Sequence, residues 1–161
     1  SIIEWFQSDI IYYGVKPQGL QKLALTQFSP KALFYHYRSM CKQNYEKYLA
    51  SKKEVTYKKY LYAMRGLLNA KYVQKTGNLP PISFKECINC SEEIIPYEII
   101  ESLRRIIKLK QQGKEKDIVK NIVIYDNYIE QFLQEEGRDL PERKISEEKI
   151  NKELQKIVLR E

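Results

Sequence analysis

The chain has 161 residues, with 28 Lys and Arg against 21 Asp and Glu, a net charge of +7 and 43% hydrophobic residues. With a mean hydropathy of -0.56, that balance describes a soluble globular domain and argues against a disordered chain. No apolar run approaches the roughly 20 residues that span a bilayer, which excludes an integral helical membrane protein.

The opening SIIEWFQSDIIYYG has no basic leader region and carries Glu4 and Asp9 early, so it does not read as a signal peptide. It also lacks an initiator Met, as expected of a piece that begins within a longer protein. Three cysteines, Cys41, Cys87 and Cys90, are too few and odd in number for a disulfide scaffold. Reduced thiols in a cytoplasmic protein are the expectation.

In chain order, the sequence predicts an all-α fold, an irregular bundle of about six helices with no convincing strand. A short apolar turn, IIEWF, is followed by a break at Gly14. PQGLQKLALTQF forms a short helix, with Leu20, Leu23 and Phe28 facing inward. Ser29-Pro30 then supplies an N-cap and an N1 proline, so a helix starts there and runs to about Leu49. EVTYKKYLYAMRGLLNAKYVQKTG is the next helix, closed by Gly77. Ser83 caps the short FKECIN, and Pro96 begins a longer helix that ends at Gly113. Residues 116–136 are predicted as one amphipathic helix with Ile118, Ile122, Tyr125, Ile129 and Phe132 on one face. Ser146 caps a last, charged helix.

The charge is uneven. Residues 16–75 hold 13 Lys and Arg against only Glu46 and Glu54, whereas residues 76–161 hold 15 against 17 acids. A polyanionic partner, nucleic acid or nucleotide phosphate, is one inference from that basic segment; a merely Lys-rich soluble surface is the other.

On the 30–49 helix, Leu33, Phe34, Tyr37, Met40, Cys41, Asn44, Tyr45 and Tyr48 share a broad arc. Ordinary burial preferences assign most of these aromatics to a core. Asn44 lies inside that arc and needs hydrogen-bond partners, Arg38 sits at its edge, and His36 lies toward the polar side. On the following helix Tyr57, Tyr60, Leu61, Met64, Leu67 and Leu68 share a face, with Lys71 in their arc and Arg65 just outside it. Charge runs ordinarily mean solvated faces, but a cation at a helix–helix cleft can also hold a phosphate, Arg better than Lys.

CINC at 87–90 is a lone C-x-x-C, and His36 and Cys41 are about 140° apart around their helix, so no metal is expected. There is no glycine-rich phosphate loop, no Gly-x-Ser-x-Gly, no His-Glu-x-x-His and no Asp-x-Asp pair. The sole histidine has no Arg shortly before it on its helix, which excludes a toxin-type helical RNase.

The succession EWFQSDIIYY, FSPKALFYHYRSMCKQNY, KKYLYAMRGLLNAKYV and NLPPISF resembles the predicted nucleotidyltransferase family of the DNA polymerase β superfamily, associated with RNA-repair operons. The similarity runs in order through the first half and is weaker in the Glu/Lys-rich second half. It implies that a small α/β palm precedes Ser1, with a Gly-Ser signature and an Asp-x-Asp pair that holds Mg²⁺ for transfer of NMP from NTP to an RNA hydroxyl. This chain carries none of those catalytic residues and is not expected to be active alone or to bind these cofactors by itself. The resemblance implies one helical domain over 1–161, with 1–15 connecting to the palm, 16–78 as a basic helical half and 83–161 as a mixed-charge half.

Carried across residue by residue, LFYHYRSM points to His36, Tyr37 and Arg38, CKQNY to Asn44, and KKYLYAMR to Lys59, Tyr60 and Arg65 as nucleotide or phosphate contacts. Gly66 stands where the family often has proline. A rival reading is a non-catalytic helical nucleic-acid-binding module; another is a purely structural interaction bundle.

Overall fold

The computed structural model describes residues 2–8, 18–52, 54–143 and 146–159. The Gly14 break, Pro17 and most of the 1–15 connection lie outside the described residues. Among the described residues there are eight α-helices and one minimal strand pair. The helices are α1 (Ile2–Gln7), α2 (Gln18–Gln27), α3 (Pro30–Tyr48), α4 (Tyr57–Thr76), α5 (Phe84–Asn89), α6 (Tyr97–Gln111), α7 (Val123–Phe132) and α8 (Glu147–Leu159). Helix α1, six residues long, stands where the sequence reads as a short apolar turn, and α5, also six residues long, is the expected short FKECIN helix. The fold is the expected all-α irregular bundle.

Local signals set the helix ends. The Ser29 hydroxyl accepts from the Ala32 N–H at 3.3 Å, with Pro30 at the first helical position, so α3 starts where the sequence places it. Ser83 caps α5 in the same way through Glu86 N–H. Gly77, at φ 67°, closes α4 in the left-handed conformation, and its N–H reaches Val73 O at 2.8 Å.

Helix α4 is the hub, packing against α3, α5, α6 and α7. Its inner face buries Tyr60, Met64, Leu67, Leu68 and Val73. These meet Phe34, Tyr37 and Cys41 of α3, Ile99, Leu103 and Ile106 of α6, and Tyr125, Ile129 and Phe132 of α7. Phe34 stands edge-on to Phe132, with ring centroids 6.3 Å apart, and Tyr60 edge-on to Tyr125 at 5.4 Å. The α3–α4 seam closes on Gly66: a Cβ there would lie 2.7 Å from Cys41 N and 2.9 Å from Tyr37 O. Helix α2 buries none of its residues, and neither does α8, although the two touch; Phe28, just past α2, is buried.

One predicted helix is corrected. Residues 116–136 are not a single helix. Lys114–Lys116 form a 3-10 turn, and Ile118–Val119 (β2) then pair antiparallel with Val55–Thr56 (β1). Helix α7 begins only at Val123. The β-branched Val55, Thr56, Ile118 and Val119 suit extended backbone, and the Ile122 N–H is captured by the Tyr60 hydroxyl at 2.9 Å. Ile118, expected on the buried face, is 67% exposed, while Tyr125, Ile129 and Phe132 are buried as expected. The same pairing delays α4, predicted from Glu54, to Tyr57.

Candidate functional site

The seven residues singled out from the sequence do not converge on one cleft. Tyr37, on α3, has no exposed surface and donates to Glu4 Oε1 of α1 at 3.1 Å. Burial, and then the neighbouring Glu4 charge, push its phenol pKa upward. Tyr60 is equally buried, donating to Asp126 Oδ1 at 2.9 Å while accepting from Ile122 N–H. Tyr45 repeats the pattern, donating to Glu130 Oε1 at 2.7 Å. These tyrosines bolt helices together through buried rings and hydroxyl–carboxylate bonds. Tyr37 and Tyr60 are therefore core residues and do not offer a ring to a base or sugar.

Three more serve the fold or stand apart. Arg38 crosses from α3 to the end of α7, where its Nη2 donates to the Leu133 carbonyl, one of the acceptors a helix C-terminus leaves open. Asn44 is satisfied locally, Nδ2 donating to Met40 O at 2.8 Å one turn back. His36 is exposed, its ring edge-on to Tyr37 at 5.2 Å. Lys71, in the apolar arc of α4, reaches Glu135 with Nζ 2.5 and 2.7 Å from its two carboxylate oxygens.

Two cations remain on accessible faces. Lys59 Nζ sits 3.5 Å from the ring centroid of Tyr48, which Lys47 also approaches at 5.1 Å. Arg65 opens onto a pocket of about 340 Å³, lined also by Leu61, Tyr62, Phe84, Lys85 and Ile107. One arm of its guanidinium is anchored, Nη2 donating to Ile82 O at 3.1 Å. Tyr62, 48% exposed, has Lys58 Nζ 5.8 Å from its ring centroid. Cations, ring faces and an apolar floor thus meet at Arg65, a combination suited to phosphate with an attached ring.

Sequence reasoning missed Lys85 and the α6 side of this face. The signal was present in LRRIIKLK at 103–110, with four cations in eight residues. Averaging it with the 17 acids of residues 76–161 concealed it.

The cysteines separate by burial. Cys87 Sγ donates to the buried Asn69 Oδ1 at 3.1 Å, and Cys41 lies in the α3–α4 seam. Burial pushes both thiols up to about 12, whereas Cys90 is exposed. Titration of the native protein with a thiol reagent at pH 8 is therefore expected to label Cys90 quickly. Cys41 and Cys87 should follow only on unfolding; rapid native labelling of either contradicts its burial. Among the described residues no three His, Cys, Asp or Glu side chains group to hold a metal ion.

Comparison with known proteins decides the family. The model for the RNA repair pathway DNA polymerase beta family matches residues 1–160. The chain belongs to that family. Membership covers nearly the whole chain, including the Glu/Lys-rich second half in which the resemblance looked weak. An uncharacterized protein of Bacillus subtilis (strain 168), YcgL, is 30% identical over 160 residues, which make up 98% of this chain and 60% of that protein. This RNA repair pathway DNA polymerase beta family chain therefore spans about three-fifths of the length of the curated relative it matches. No solved structure matches it. Among the described residues, no helix is long and apolar enough to cross a membrane.

Proposed function

We propose that this chain is the helical substrate-binding part of a nucleotidyltransferase that transfers NMP from an NTP to an RNA hydroxyl. Family membership over residues 1–160 carries the reading. In the reaction the hydroxyl oxygen attacks the α-phosphorus in line; the new P–O bond forms as the bond to pyrophosphate breaks, and the hydroxyl proton leaves to a base. The carboxylates that would hold Mg²⁺ for this step are those of an Asp-x-Asp pair, accompanied by a Gly-Ser signature, in a palm outside this chain.

This chain's own contribution is binding and positioning. Arg65, with one arm fixed to Ile82 O, faces a pocket in which its guanidinium can meet a phosphate, and Lys59 offers a second charge beside Tyr48. Arg38, Tyr37 and Tyr60 support those two by tying α3 to α7, α3 to α1 and α4 to α7, Asn44 is bonded within α3, and exposed His36 stands beside Tyr37. The reading places the protein in the cytoplasm, where NTPs are available and thiols stay reduced.

The test uses the longer protein, with Mg²⁺ and labelled NTPs on an RNA acceptor. NMP incorporation is expected, and Arg65→Ala should raise the KM for NTP about tenfold, the loss of one charge-assisted hydrogen bond. A longer protein that neither binds NTP nor transfers NMP sinks the function. An unchanged KM in a folded Arg65→Ala protein sinks the assignment of Arg65 alone.

A further inference from the structure

The pocket at Arg65 does not stand alone. It abuts a second one of about 350 Å³ between α5 and α6, and the two share Lys85, Ile107 and Gln111. Together they make a groove. Helix α6 walls it from Glu101 to Gln111, a run of about 15 Å at 1.5 Å per residue. Apolar side chains line it as well, Leu61 in the pocket at Arg65, Ile88 in the second and Ile107 in both.

The charge along the groove is nearly all of one sign. Glu101 is the one acid lining either pocket among the described residues, and it is matched by Arg104 Nη1 at 2.6 Å. Arg104 also contacts Glu92, so that arginine is neutralised in place. Lys85, Arg105 and Lys108 are exposed and enter no ion pair among the described residues. Both halves of the chain contribute, Arg65 and Tyr62 from the basic half and the other cations from the mixed-charge half.

We propose that this groove binds an unpaired nucleic-acid strand, with phosphates on Lys85, Arg105 and Lys108 and bases against Tyr62 and Phe84, leaving Arg65 at its end to the nucleotide. The proposal rests on the nucleotidyltransferase reading and locates its acceptor strand. Ring faces select unpaired bases, because a duplex keeps its own base faces stacked inside. Stacking on a ring is tolerant of sequence, so affinity should follow strand charge and pairing more than base identity.

The test is fluorescence anisotropy of this chain with labelled oligouridylate, oligothymidylate and a duplex, each about ten nucleotides long, across a salt series. The unpaired strands are expected to bind and the duplex to bind at least tenfold more weakly. Lys85→Gln/Arg105→Gln should weaken binding about tenfold and flatten the slope of log K against log salt by about 1.4, two phosphates at roughly 0.7 each. Tyr62→Ala should weaken binding about fivefold or more and leave the slope unchanged, as loss of a stacked base does. Lys52→Gln/Lys75→Gln, at exposed positions outside the groove, is the matched control, with melting curves confirming that every variant folds.

Tighter binding of RNA than of DNA assigns the groove to RNA, and equal affinity assigns it to unpaired strands of either kind; both support it. No binding, duplex binding as tight as single-strand binding, or equal effects of the groove and control pairs would overturn it. A longer protein that lacks NMP transfer but keeps groove-dependent binding loses the transferase reading alone. NMP transfer with groove-independent binding removes the groove alone.

Discussion

Gly66→Ala is expected to lower stability by about 2–3 kcal/mol, the upper part of the roughly 1–3 kcal/mol that overpacking costs. The added Cβ would lie 2.7 Å from Cys41 N, 2.9 Å from Tyr37 O and 3.0 Å from Cys41 Cα. All three are backbone atoms of α3, so no rotamer change relieves the contact; α3 and α4 must move apart. That separation loosens the seam holding Tyr37, Cys41, Leu67 and Met64, all fully buried. The intrinsic helix preference of Ala over Gly, about 1 kcal/mol, works the other way and makes the sign informative. For a chain of this size the loss corresponds to a Tm lower by roughly 5–10 °C, readable by circular dichroism. An unchanged or raised Tm would mean that α3 and α4 do not approach at Gly66.

Tyr60→Phe is expected to be of similar size, about 2–3 kcal/mol, for a different reason. The ring stays, but loss of the hydroxyl leaves Asp126 with one donor fewer and Ile122 N–H without its acceptor, each at a part-buried position. Because that N–H lies at the entry to α7, the junction between β2 and α7 should also exchange its amides faster.

The pH dependence has a definite sign. Burial, ahead of the opposing Tyr60 and Asn121 bonds, raises the Asp126 carboxyl above its ordinary 3.8. A raised folded-state value means that the native protein holds this proton more tightly than the unfolded chain does. Its stability contribution is full below the ordinary value and is lost as pH rises through the folded one. Removing the Tyr60 hydroxyl raises that carboxyl further. The destabilisation by Tyr60→Phe should therefore be larger at neutral pH than in acid, where Asp126 is protonated in both proteins. Urea unfolding at pH 7 and pH 3.5 measures the difference, and an equal loss at the two would contradict a charged Asp126 as the partner.

What was legible in the residues was local. Ser29-Pro30, Ser83 and Gly77 mark helix ends because each acts on backbone groups within four residues of itself. The apolar arc of the Phe34–Tyr45 stretch is a helix periodicity, and it correctly marks Phe34, Tyr37, Cys41 and Tyr45 as core. The start of α7 was not legible, because its decisive hydrogen bond joins residues 62 apart in the chain. Without Tyr60 and β1 in view, residues 116–122 read as one more amphipathic turn.

The candidate site divides along the same line. That Arg65 stands outside the apolar arc of α4 follows from helix geometry alone. That Tyr37 and Tyr60 turn their hydroxyls onto Glu4 and Asp126 depends on which helix packs against which. By itself, the sequence determined the helical character, most helix ends, the buried stripes and the family, since these depend on short-range periodicity and on residue order. Only the tertiary structure decided that Arg65, Lys85, Arg105 and Lys108 border one groove. Those cations come from three helices, and their convergence depends on how α4, α5 and α6 pack, which no local spacing encodes.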